Sequence, residues 1–164
     1  MQEKIMGPSS EPSLNLSNDL VISGLREVLS QHRDKRVLVL GTTCTGKSTM
    51  LKFIDGAVDQ DKEVFPKLTQ QESDFVCQTP WTEEIGRTMT RLVRERVATR
   101  PGSPIFGTVV IDCDHIVLLK IGDDLLRERV GKRGAKFQDA KNMQRQLEEE
   151  VRSSGISWSE YSVG

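Results

Sequence analysis

The stretch that most constrains this chain is Val37–Ser48. There the apolar run Val37-Leu38-Val39-Leu40 meets GTTCTGKS and continues into Thr49-Met50-Leu51-Lys52-Phe53-Ile54. A wholly apolar run of four, halted by glycine, predicts a strand buried on both faces, as in parallel sheets. The residues from Thr49 onward predict a helix. Gly41, Gly46, Lys47 and Ser48 fill every fixed position of G-x-x-x-x-G-K-[ST]. From average residue usage, a chance match in a chain this long is roughly 1% or less.

These residue types suit a phosphate. Two glycines let the backbone curl with its N–H groups inward, where a Cβ would collide. A helix beginning near Lys47 adds unpaired N–H donors and the positive end of its dipole. Lys47 brings a full charge to the β- and γ-phosphate oxygens, and the Ser48 hydroxyl suits Mg²⁺. The expected ligand is therefore a nucleoside triphosphate with Mg²⁺, cradled by Gly41, Thr42, Thr43, Cys44, Thr45, Gly46, Lys47, Ser48 and Thr49. Cys44 reads either as a small loop-filling residue or as a thiol activated by the electropositive loop.

The rest of the chain alternates helical and strand-like stretches, which predicts an α/β fold with a mainly parallel sheet flanked by helices. Residues 1–17, rich in Ser, Pro and Asn, read as a mobile tail, and 18–164 as one domain. A helix is expected from Ser17-Asn18-Asp19 to the charged run His32–Arg36. Residues 55–74 show no clear element, Asp74–Cys77 reads as a strand, and Thr82 as the N-cap of a helix with Ile85, Met89, Leu92 and Val93 at helical spacing. Val109-Val110-Ile111 and Ile116–Ile121 read as strands. Phe137, Ala140, Met143, Leu147 and Val151 mark an amphipathic helix before a last strand over Ile156–Val163. Asp112 follows apolar residues at a strand end and reads as the metal-ligating carboxylate, with Asp114 as competitor. Arg87, Arg91 and Arg94 share one helix face. That face reads as a phosphate surface for an acceptor, with Arg87 foremost, or as a solvated face paired with Glu83 and Glu95. Trp81 reads as a packing residue or a base-stacking one.

Further along, HIVLLKIGDDLLRERVGKRG, His115 to Gly134, resembles the strand–lid region of the P-loop nucleoside and nucleotide kinases. In that family an apolar strand leads to a helix carrying E-R-x-x-x-R-G, here Glu128, Arg129, Arg133 and Gly134. The resemblance implies a three-layer P-loop NTPase-like fold in which Arg129 and Arg133 close over the phosphates as catalytic lid arginines beside Lys47. It implies transfer of the ATP γ-phosphoryl group to a small molecule such as a nucleoside or nucleotide. The alternatives are a hydrolase or regulatory switch that passes phosphate to water, and a nucleotide-binding module without turnover. Val37–Lys52 also looks like the loop region of heterotrimeric G-protein α subunits, but no N-K-x-D occurs to read guanine. One departure stands out. Only four residues separate Ile111 from Ile116, whereas a parallel crossover usually takes a dozen or more. Gly107–Ile121 is therefore expected to be a bent strand, a hairpin or a shortened segment.

Composition narrows the partners. Lys plus Arg (23) nearly balances Asp plus Glu (24), so no global field favours nucleic acid. No apolar run approaches 18 residues, which argues against a spanning helix. Three irregularly spaced cysteines make no disulfide framework and fit a reduced, cytoplasmic chain.

Overall fold

The computed structural model describes residues 16–42, 44–80 and 82–164. Its centre is a five-stranded sheet in the order β2-β3-β1-β4-β5, with every neighbouring pair parallel. The strands are β1 (Val37–Leu40), β2 (Val58–Asp59), β3 (Ile105–Gly107), β4 (His115–Lys120) and β5 (Ser157–Ser162). The apolar run Val37–Leu40 is the middle strand and is buried at all four residues, as its composition predicts.

Seven α-helices are found among the described residues: α1 (Leu16–Gln31), α2 (Lys47–Leu51), α3 (Gln60–Val64), α4 (Gln70–Val76), α5 (Glu83–Arg96), α6 (Asp123–Arg133) and α7 (Phe137–Ser153). Side chains of the sheet alternate between two cores. Val37, Val39, Phe106, Val117 and Leu119 pack with Leu25 of α1, Met50 of α2 and Leu126 of α6. On the opposite face Leu38, Leu40, Ile105, Ile116 and Leu118 pack with Val64 of α3, Val76 of α4 and Leu92 of α5. The result is a three-layer α/β fold. No helix among the described residues is long and apolar enough to cross a membrane.

Several expectations need correcting. α1 begins at Leu16, so it takes in two residues read as tail; residues 1–15 lie outside the described residues. The stretch without a predicted element holds β2, α3 and α4. Asp74–Val76 is the end of a helix, not a strand. Thr69 and Glu72 form a reciprocal capping box that starts α4, and Val76 is buried against the sheet. α5 does begin after Thr82, whose hydroxyl accepts from the Ile85 N–H.

The largest correction concerns Gly107–Ile121. The strand that pairs with β1 is Ile105–Gly107, not Val109–Ile111. Residues 108–114 form an extended strap that returns to the start of β4 in seven residues without a helix. A crossover this short is possible because β3 has only three residues to descend past. Val110, Ile111 and Cys113 are buried in the strap and cover the core on the Leu38 face. At its end the Asp114 N–H donates to the Arg36 carbonyl just before β1 (2.8 Å); ahead of that, side chains from other elements pair with its backbone. The buried Gln60 carboxamide accepts from the Thr108 and Val109 N–H groups (3.1 Å each) and donates to the Val109 carbonyl (2.7 Å). Arg94 Nε donates to the Val110 carbonyl (2.9 Å), and the Thr99 hydroxyl to that of Asp112 (2.9 Å). β-propensity at 109–111 was thus overridden by tertiary partners.

Candidate functional site

The GTTCTGKS loop leaves the C-terminal end of β1. From β1 the chain turns toward β2 on one side; from its neighbour β4 it turns toward β5 on the other. Adjacent strands whose connections diverge open a crevice beyond their C-terminal ends, the usual ligand position in open α/β sheets.

The loop is tightly built. Gly46 has φ of 89°, a conformation that L side chains rarely adopt, and its missing Cβ faces Arg129 Nη1 at 3.4 Å. The Thr45 hydroxyl donates to the Thr42 carbonyl (2.9 Å). Lys47 turns inward, and its Nζ donates to the carbonyls of Gly41 (2.5 Å) and Thr42 (2.7 Å). Burial pulls its pKa down to about 8, with Arg133 pushing the same way and Asp61 opposing. The Thr42 hydroxyl is buried and has no hydrogen-bond partner among the described residues. α2 is short, ending at Leu51 instead of running on to Ile54. Thr43 lies outside the described residues.

Two clefts flank the loop. The first, about 250 Å³, is walled by Cys44, Gly46 and Thr49 of the loop, by Arg129, Lys132 and Arg133 of α6, and by apolar Val21, Met50 and Val163. Arg129 donates from Nη1 to the Cys44 carbonyl (3.1 Å), so the two segments singled out in the sequence, 81 residues apart at Ser48 and Arg129, meet here. Partial burial lowers the Arg129 pKa. The second cleft, about 100 Å³, brings Lys47 and Ser48 together with Asp59, Asp61, Gly107 and Thr108. Asp59 ends β2 and caps α3, accepting from the Asp61 N–H (2.9 Å). Desolvation and the nearby Asp59 raise the pKa of Asp61, against the pull of Lys47.

Asp59 and Asp61 escaped the sequence reading because no apolar run precedes them: β2 is two residues long. The signal available was Asp59 two residues before Asp61, an N-cap pattern. Asp112 is placed elsewhere. Its carboxylate pairs with Arg36 (3.0 Å), as does that of Asp114 (3.1 Å). Arg36 precedes β1, so these acids stand at the opposite end of that strand from the loop, about 13 Å away at ~3.3 Å per residue. The strap carries them there. Oxygen donors fit for Mg²⁺ are instead Ser48, Asp59 and Asp61, since this ion takes one or two carboxylates and completes its shell with water and phosphate. No cluster of three or more His, Cys, Asp or Glu suited to a metal occurs among the described residues.

Arg87, Arg91 and Arg94 share one groove of about 700 Å³ between α5 and α7, whose lining also includes Thr108 of the acidic cleft. All three are paired, Arg87 with Glu83 (3.4 Å), Arg91 with Glu95 (3.2 Å) and Arg94 with Glu150 (3.3 Å). Trp81 is outside the described residues. Scanned against protein-family models the chain matches none, and no curated protein matches it.

Proposed function

We propose that this chain binds Mg²⁺-ATP on the Gly41–Thr49 loop and transfers its γ-phosphoryl group to a small hydroxyl-bearing acceptor. The observation that carries the reading is that Lys47 on one side, and Arg129 and Arg133 on the other, flank a single glycine loop at the sheet's switch point. Phosphoryl transfer is chiefly positioning and charge stabilisation, and these cations supply both.

The two clefts differ in charge, which supports a different role for each. The cationic, partly apolar one suits the nucleotide. The acidic one suits the acceptor, with Asp59 and Asp61 placed to hold a hydroxyl and, with Ser48, the cation. Arg129 would exchange the Cys44 carbonyl for phosphate oxygen, and Lys47 would leave two loop carbonyls for the β- and γ-phosphates. Thr108 connects the acidic cleft to the arginine groove, so an acceptor bearing its own phosphate could reach Arg87. Water can also enter the acidic cleft, which keeps hydrolysis as the second reading.

Calorimetry with Mg²⁺-ATP tests the core of this. Lys47→Ala is expected to weaken binding at least 100-fold with the fold intact by circular dichroism; unchanged affinity overturns the reading. Radiolabelled ATP offered with a panel of nucleosides, nucleotides and sugars separates the two outcomes, since label on an acceptor marks a kinase and free phosphate alone a hydrolase.

A further inference from the structure

We propose a second ligand site at the N-terminal end of the sheet, independent of the nucleotide reading: a pocket for a small organic anion with a flat apolar body. The cavity there holds about 400 Å³. Its floor is the start of β1 and the turns before β3 and after α2, contributed by Val37, Pro104 and Ile54, with Leu29 from α1; all four are buried side chains.

Charge around this apolar floor is lopsided. Arg26, Arg33 and Lys35 line the cavity against one carboxylate, Asp55. Arg26 spends Nε and one Nη on the Phe53 carbonyl (2.9 and 2.7 Å), and Arg33 spends only Nε, on that of Ser30 (3.2 Å). The Lys35 ammonium donates to no acceptor among the described residues. Three cations gathered in one concavity repel each other, and an anion relieves that repulsion while accepting their remaining donors. The wall also contains His32, whose ring stacks on His115 with centroids 4.1 Å apart and planes 16° apart. His115 is held by the hydroxyls of Ser157 and Ser159 (3.0 Å each), and burial lowers its pKa. The Nδ1 of His32 is buried with no hydrogen-bond partner among the described residues. A flat, immobilised imidazole over aliphatic floor favours a planar ligand body; guanidinium and ammonium groups at the rim favour a carboxylate or phosphate head.

The test uses the full chain carrying Lys47→Ala, so that phosphate cannot be captured through the loop lysine. Amide chemical shifts are followed by NMR during titration with phenyl phosphate, benzoate and inorganic phosphate. Saturable shifts confined to Leu29–Val37, Ile54–Asp55 and Gly102 are expected with at least one aryl anion, the tighter of the two naming the head group. Inorganic phosphate should bind at least tenfold more weakly. Arg33→Glu with Lys35→Glu, both at exposed positions, should abolish the shifts and leave the rest of the spectrum in place. Absent or unsaturable shifts, equal binding of inorganic phosphate, or binding that survives the double charge reversal would each overturn the proposal. None of these bears on ATP binding by the unsubstituted chain.

Discussion

Lys47 is the side chain on which the proposed nucleotide binding makes its sharpest demand. The ammonium satisfies the Gly41 and Thr42 carbonyls and so ties the loop back on its own first residues. Its pKa of about 8, down from an ordinary 10.5, comes chiefly from desolvation. On the proposed function, a bound phosphate would favour the charged form and return the pKa upward. Between about pH 8 and 10.5 the free protein has therefore lost a proton that the complex keeps, and binding must take one up. Calorimetry in buffers of different ionisation enthalpy should read proton uptake approaching one per ATP near pH 9 and little at pH 7. Affinity should fall toward tenfold per pH unit above 8. The sign for folding is the opposite: below pH 8 the native state carries a charge it disfavours, and that penalty fades as pH rises toward 10.5, so this group's contribution to stability improves with pH where affinity falls. An uptake that vanishes in Lys47→Ala identifies the group.

At the scale of elements, the loop, β1, α5, α7 and β4 were legible because each is a strong local pattern: a fixed glycine spacing, a Thr82 cap, an amphipathic stripe, an unbroken apolar run. The acid side of the site was not. β2 has two residues and β3 three, too short for any periodicity to register, and the strap 108–114 carries β-branched residues that a propensity argument assigns to a strand. Asp112 falls outside the site for the same reason: the apolar residues before it belong to the strap and not to a strand. What decides this region is a contact between Gln60 and Gly107. A Cβ at position 107 would overlap the Gln60 carboxamide, which three backbone bonds hold in place. Gln60→Ala should cost about 2–4 kcal/mol from the lost bonds and orphaned N–H groups. Gly107→Ala should cost a similar amount alone but about 1–2 kcal/mol less in the Gln60→Ala background. A double-mutant cycle by urea unfolding measures that coupling, and strictly additive costs would show that the glycine is not there to admit the glutamine.

Taken whole, the molecule separates charge without accumulating it. A formal net charge of −1 conceals a cationic cleft and an acidic one on the two sides of the same loop, and a second cationic cavity at the far end of the sheet. Ligand binding to the native state alone should raise stability by about 2.7 kcal/mol at a hundredfold excess over Kd. For a domain of this size that corresponds to a melting temperature roughly 5–10 °C higher with saturating Mg²⁺-ATP. Differential scanning fluorimetry checks this, and Lys47→Ala should erase the shift. The strap has a consequence of another kind. In a helical crossover each amide is protected by its own neighbours four residues away, so exchange with solvent frays from the ends. Here the Thr108 and Val109 amides are guarded by a single distant carboxamide. They should open together, at one rate, whenever α3 lets go, making this short piece of chain a reporter of how firmly the wall of the acidic cleft is held.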